Sequence, residues 1–366
     1  MNNELLRTLA RYTLGPVADM LVTLRYALRS AKADAVVSRP DDCVSYDFPI
    51  DLVYTWVDGS DPRWQADKLQ YQQALAENPL ATQRSAHDAC YRSRDELLYS
   101  LRSVAFYAGF INRIYVVTAG QVPDWLNTDH PNINLVFHQD IFSDRSDLPT
   151  FNANAIESQL QHIPGLSEHF LYLNDDVFFG RQASPADYFE EDGRPVFYQS
   201  ELLLAESPPQ ESDTGYEWGL KNARELLRQE HTLPTVRKLL HAPLVLRKSL
   251  LEKLEASYPS AVQTTAANRF RQMTDVGLVY ALFPYATALQ GQGVMRDPQA
   301  CGYQNAYYNI GSPFLKASLK KLLFTRSADT FCINESISTG LDTAPLDSVI
   351  ANFLQSYYPH KCEYEN

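Results

Sequence analysis

Four short runs rich in β-branched and aromatic residues constrain this 366-residue chain more than any other feature: "IDLVYTWVDG" (50–59), "RIYVVTAG" (113–120), "INLVFHQ" (133–139) and "HFLYLNDD" (169–176). Each ends in small or polar residues, so each reads as a buried strand running into a loop. Residues 64–80, 94–108 and 154–163, which lie between them, have helical character. Strands alternating with helices predict an α/β fold: a Rossmann-like, mostly parallel sheet with helices on both faces. Ligands of such sheets gather beyond the carboxyl ends of the strands, and Asp58, Gly120 and Asn174–Asp176 fall at those ends.

Beyond residue 200 the pattern is less regular. Helices are expected at 216–230, 246–258 and 275–290, a long loop at 291–313, another strand in "TFCINES" (330–336) and a last helix at 345–357. The expected organisation is a helical N-terminal segment (1–45), a large central domain (46–345) and a C-terminal helix and tail (346–366). Residues 4–32 space leucines helically among Arg7, Arg11, Arg25, Arg29 and Lys32, and Pro16 should break the segment into two helices. It reads either as a helical hairpin packed on the domain or as an amphipathic attachment, through residues 1–34, to a membrane surface or partner.

A net charge of −12 argues against a broad nucleic-acid surface. Cys43, Cys90, Cys301, Cys332 and Cys362 are dispersed and without zinc spacing, which suits a reducing compartment. No apolar run reaches the ~18 residues of a membrane-spanning helix, and no signal-peptide pattern is present. A cytoplasmic protein is expected.

In "FLYLNDDVFF" (170–179), Asn174, Asp175 and Asp176 interrupt large apolar side chains. Adjacent carboxylates are costly to bury unless something positive binds them. Paired acids at a strand end commonly hold Mg²⁺ or Mn²⁺ against a diphosphate. Asp58-Gly59 reads equally as turn chemistry, whereas Asp51, in the apolar context "PIDLVYTW", needs a hydrogen bond or a nucleotide ring. "RSRDELLYSLRSV" (92–104) offers Arg94 or Arg102 to a phosphate, with Asp95 and Glu96 explained by the dipole of the helix they begin. Asn154 and Glu157 have capping-box spacing, which leaves Asn152 for a ligand. His241, Arg269, Arg271 and Glu335 complete the dispersed polar set.

Together these segments resemble the Stealth family of sugar-phosphate transferases. "IDLVYTWVDGSDP" (50–62) matches its first region, and the block from "RDELLYSLRSV" through "GLSEHFLYLNDDVFFG" (94–180) its second. "HAPLVLRK" (241–248) with "RFRQMTDV" (269–276) resembles the third, and "FCINES" (331–336) the fourth. The resemblance implies a catalytic central domain that transfers hexose-1-phosphate from a UDP-sugar to a hydroxyl of a capsular saccharide acceptor, releasing UMP. Asp51 and Asp58 would belong to the first-region site, Asp175 and Asp176 to the acidic pair, and His241 and Arg271 to the third-region pair. Glu335 stands where the family usually has Asp, and Ser336 replaces a second acid. Asp175, Asp176 and Glu335 are thus the candidate Mg²⁺ (or Mn²⁺) ligands. His241, Arg271 and Asp175 are the candidate catalytic residues, and Asp51, Asp58, Arg94, Arg102, Asn152 and Asn174 the candidate substrate contacts. A metal-dependent glycosyltransferase releasing UDP and a non-catalytic sugar-nucleotide-binding subunit are the competing readings. The resemblance also suits a bacterial capsule enzyme, peripheral at the inner membrane.

Overall fold

Burial explains why the apolar runs become the centre of the molecule. The computed structural model describes residues 13–27, 46–75, 91–233, 236–335 and 344–366. In it, β1 (Ile50–Thr55), β2 (Ile111–Thr118), β3 (Ile133–Phe137) and β4 (His169–Asn174) pair in parallel in the order β3-β2-β1-β4. β1 and β4 each bury five successive residues. Successive side chains point to opposite faces, so both faces of this sheet are covered, as a parallel sheet requires.

The chain builds outward from β1 to β3 and then returns to the far side of β1 for β4, which places a topological switch point between β1 and β4. β5 (Val177–Phe179) and β6 (Val196–Leu203) follow, then β7 (Arg237–Leu239) and β8 (Leu244–Arg247). β8 closes the sheet antiparallel to β4, with Tyr172 opposite Leu244 and His169 opposite Arg247. Its incoming end therefore lies beside the outgoing end of β4.

The loop expected at 291–313 is instead structured. It holds β9 (Val294–Arg296), a short helix Pro298–Cys301 and β10 (Asn305–Asn309). β9 pairs with β6 on the side opposite β7, and β10 pairs in parallel with β11 (Thr330–Asn334), which also pairs antiparallel with β5. β5 stitches two cores together. Val177 and Phe179 enter the main core, whereas Phe178 enters a second one with Phe331, Leu319, Leu354 and Tyr358.

The helix Glu96–Tyr107 follows the second-region arginine, and Gly215–Glu230, Lys248–Ser257 and Ala344–Tyr357 match the expected helical stretches. Over 275–290 the chain forms a π-helical turn, Leu278–Leu282, before the helix Phe283–Leu289. Near the N-terminus, Pro16 is the second residue of the helix Gly15–Ala27, which continues directly from the π-helical Thr13 and Leu14. Residues 4–12, 28–32, Cys43, Cys90 and Ser336 lie outside the described residues. No described helix is long and apolar enough to cross a membrane.

Candidate active site

A cleft of about 450 Å³ opens at the carboxyl edge of the sheet. It is lined by Thr55–Val57 after β1, Ala119 after β2, His138 after β3 and Asn174–Asp176 after β4. Arg94, His241, Arg271 and Glu335 reach the same cleft from elsewhere in the chain. His241 arrives because β8 runs backwards, so that the loop before it meets the end of β4.

β11 fixes Asp176. Ile333 N donates to the Asp176 carbonyl (3.1 Å) and Asn334 Nδ2 donates to Oδ2 (2.7 Å). Asp176 Oδ1 is buried and has no hydrogen-bond partner among the described residues. Burial raises the pKa of Asp175 well above the usual carboxylate range, and the charges of Glu96 and Asp176 push it the same way. Asp176 is raised by burial too, against the Asn334 hydrogen bond and the pull of His241. Asn174 Oδ1 accepts from the Tyr172 hydroxyl (2.9 Å).

Three crowded carboxylates around a polar cleft call for positive charge, and Arg94 engages Glu335, Asp347 and Glu96 there. Its Nη2 donates to Glu335 Oε2 (2.5 Å) and its Nε to Asp347 Oδ1 (2.6 Å), and its backbone N–H donates to Glu96. Glu335 lines the same cleft and is held by Arg94, and it forms no preformed cluster with the aspartate pair. Among the described residues no three His, Cys, Asp or Glu side chains form a preformed metal cage. Magnesium needs no such cage, because one or two carboxylates with substrate phosphates and water suffice. Asp175 and Asp176, with Oδ1 of Asp176 left without a hydrogen-bond partner among the described residues, fit that requirement.

His241 lies between Tyr216 and Tyr307, with ring centroids at 5.6 and 4.9 Å. Its surroundings strip enough hydration to hold the imidazole below its ordinary value, although Asp176 pulls it upward. Arg271 lies across the start of the helix Gly215–Glu230. A Cβ on Gly215 would stand 2.7 Å from its Cδ, so only glycine leaves it that room. One wall is aromatic: Trp64 packs on Tyr91 (4.9 Å) and Phe151 (5.3 Å), a surface suited to a sugar or base ring. A Cβ on Gly59 would overlap the Tyr91 carbonyl, so the turn after β1 also depends on glycine.

Four expected contacts lie outside the cleft. Asp51 sits at the opposite end of β1, four residues and roughly 13 Å from Thr55, and accepts from Asn112 Nδ2 (2.8 Å) and Ser167 N (2.8 Å). Asp58 folds its carboxylate onto Ser60 N (2.8 Å) and Oγ (2.6 Å), the turn reading of Asp58-Gly59. Arg102 makes a two-pronged bond to Glu365 (2.7 Å each) and donates to the Tyr358 carbonyl. Asn152 is buried and caps the helix Ala153–Glu157, donating to Asp275 (2.9 Å) and the Asn268 carbonyl. The proposed Asn154–Glu157 box is absent as well. Asn154 binds Asp275, while Glu157 is buried with Oε1 3.0 Å from the Tyr172 hydroxyl, whose one proton it shares with Asn174.

Sequence reasoning passed over Glu96, because a first-turn acid is already explained by the helix dipole, and also His138, Tyr216 and Tyr307, which line the same cleft. Asp95, before Glu96, is left-handed (φ 63°) and its side chain caps nothing.

Family models match three segments: Stealth protein conserved region 1 at residues 48–76, conserved region 2 at 90–197 and conserved region 3 at 240–288. The chain is 41% identical over 319 residues to the exopolysaccharide phosphotransferase SCO2594 of Streptomyces coelicolor, covering 87% of this chain and 52% of that protein. It is 38% identical to SCO6021 of the same organism (91% and 60%) and 35% identical to CpsY of Mycobacterium tuberculosis (87% and 58%). The chain thus spans between half and three fifths of the length of these relatives. Among solved structures, the galactosyltransferase LgtC with donor and acceptor sugar analogs aligns over 86% of this chain and 97% of its own, at 10% identity and a TM-score of 0.41. The bifunctional glycosyltransferase WbbM aligns over 85% and 50%, with a TM-score of 0.38. Three conserved regions, in order along one chain and contributing to one cleft, make this protein a member of the Stealth family.

Proposed function

We propose that this protein transfers a hexose-1-phosphate, N-acetylhexosamine-1-phosphate in the simplest case, from a UDP-sugar to a hydroxyl of a saccharide acceptor, forming a phosphodiester and releasing UMP. The observation that carries this reading is the meeting of Asp175, Asp176, His241 and Arg271 in one cleft, although they lie up to 96 residues apart in the sequence. That the similar proteins of Streptomyces coelicolor and Mycobacterium tuberculosis are exopolysaccharide phosphotransferases supports the same chemistry.

Asp175 and Asp176 would hold Mg²⁺ or Mn²⁺, which when bound supplies positive charge to a donor diphosphate. The acceptor oxygen attacks the β-phosphorus and gives its proton to a ring nitrogen of His241. The bond from that phosphorus to the oxygen bridging to UMP breaks, and the sugar keeps its anomeric C–O bond. Arg271 faces the phosphoryl oxygens as charge builds on them, and Asn174, steadied by Tyr172, orients the donor. The aromatic wall of Trp64, Tyr91 and Phe151 offers a ring-stacking surface.

The test incubates purified protein with a panel of UDP-sugars and saccharide acceptors and identifies the released nucleotide. UMP together with a phosphodiester signal in the ³¹P spectrum is the expected result. UDP would instead establish attack at the anomeric carbon, and absence of turnover with Mg²⁺ across the panel would leave a binding role. His241→Ala and Arg271→Ala, each folded, should lose at least about 10²-fold in rate.

A further inference from the structure

His138 begins the short helix His138–Ile141 directly after β3 and lines the cleft, although it is only 8% exposed. Phe142 packs beside it, with ring centroids 6.2 Å apart. Its ring makes no hydrogen bond among the described residues, and neither nitrogen is sealed off from the cleft. Burial lowers its pKa to about 4, so near pH 7 the imidazole is neutral, with one N–H donor and one bare acceptor nitrogen. A polar group so deeply set and without a partner costs stability until a ligand supplies one. The chemistry proposed above gives His138 no task.

The register of the sheet places this side chain relative to the acids. Asn174, Thr55, Val117 and Val136 stand in one row across β4, β1, β2 and β3. Asp176 and His138 each lie two residues beyond that row, at opposite ends of the rim. Three strand spacings separate them, about 14 Å. An extended nucleoside diphosphate covers that span once side chains and a metal reach in from each end. The rim is low in between, where β2 gives way to the small, exposed Ala119 and Gly120. A Cβ on Gly120 would meet nothing within 4 Å. The ends of β2 and β3 contribute Ala119 and His138 to the cleft, neither of them charged, whereas the end of β4 contributes two carboxylates.

We propose that His138 reads the nucleobase of the donor. The proposal deepens the transfer reading and rests on its UDP-sugar. The diphosphate lies at Asp175 and Asp176, the ribose crosses the ends of β1 and β2, and the His138 N–H donates to a keto oxygen of the uracil. The opposite orientation would set a neutral base over the two aspartates and leave the diphosphate beside an uncharged imidazole. A deeply set donor that a wrong ligand leaves unpaired is a strong source of discrimination. His138 is thus a specificity-determining residue and takes no part in making or breaking bonds.

The test is titration calorimetry of the full chain, with Mg²⁺ present, against UDP and separately against inorganic pyrophosphate. UDP should bind wild-type protein more tightly than pyrophosphate does. His138→Leu should weaken UDP about tenfold, the loss of one hydrogen bond, and leave pyrophosphate unchanged. His138→Gln keeps a donor and should retain most of the UDP affinity. Where His138→Leu fails to fold, Ala119→Phe on the exposed rim should give the same split by obstructing the ribose. Unaltered UDP affinity in His138→Leu or Ala119→Phe overturns the proposal and leaves the transfer reading standing. Equal losses for UDP and pyrophosphate overturn it as well, because they would mark His138 as a support of the cleft. Wild-type protein that fails to bind UDP ends the UDP-sugar reading itself, and this inference with it.

Discussion

Glu157 permits a quantitative test of how this cleft is supported. Its side chain is buried behind Asn174, with one oxygen on the Tyr172 hydroxyl and the other, Oε2, unpartnered among the described residues. Burial lifts its pKa from the ordinary 4.5 to about 7, against the opposing charge of Arg271 and the Tyr172 bond. Raising a pKa that far corresponds to about 3 kcal/mol of extra proton affinity in the folded state. The folded protein then binds a proton that the unfolded chain has released, so stability falls as pH rises between these two values. The contribution is complete below pH 4.5 and lost on passing through about 7. Glu157→Gln keeps the shape and the acceptor for Tyr172 but cannot ionise. Relative to wild type it should gain up to about 3 kcal/mol between pH 5 and pH 8, about 5 °C in melting temperature for a chain this long. Calorimetric melting of both proteins across that range provides the comparison, because Asp175, Asp176 and Glu96 add the same background slope to each. Parallel melting profiles would refute the reasoning, since they would mean that Glu157 is already ionised in the folded protein.

Other expectations follow from the same contacts. Asp175→Asn removes one of three mutually repelling carboxylates, so in EDTA it should melt a few degrees above wild type, while the rise in melting temperature on adding Mg²⁺ should shrink; dye-monitored melting with and without metal reads both. Arg102→Ala leaves the buried Glu365 carboxylate unpaired and should cost about 3 kcal/mol in urea unfolding, with little change in KM because it lies outside the cleft. Gly215→Ala should lower kcat by crowding Arg271, and circular dichroism will show whether the helix beginning there survives.

The sequence was most legible where apolar runs were long. β1 to β4 could be read because doubly covered parallel strands need near-continuous Val, Ile, Leu, Phe and Tyr, and their polar ends marked the cleft. The three-residue strands β5, β7 and β9 left no such trace, since their existence depends on partners far away in the chain. The polar residues divided for the same reason. Asp175 and Asp176 declared themselves by an electrostatic cost that nothing nearby could offset. Arg102 looked like a phosphate ligand because its partner Glu365 lies 263 residues away. Glu157 satisfied a local capping rule so well that its true partner, Tyr172, was not sought, and Glu96 was hidden by an equally sufficient local explanation. Where a short-range rule accounts for an acid, sequence reasoning stops too early.

The reversed direction of β8 has a consequence for how such a protein diversifies. Because β8 runs against β4, the excursion between them leaves and re-enters the sheet at the same rim. Both core-building segments of the excursion are fixed, because β5 joins the two cores and the helix Gly215–Glu230 packs into the main one. Room for variation is confined to the exposed turn at residues 205–212, which can lengthen or shorten without shifting β1 to β4 or the point at which His241 returns.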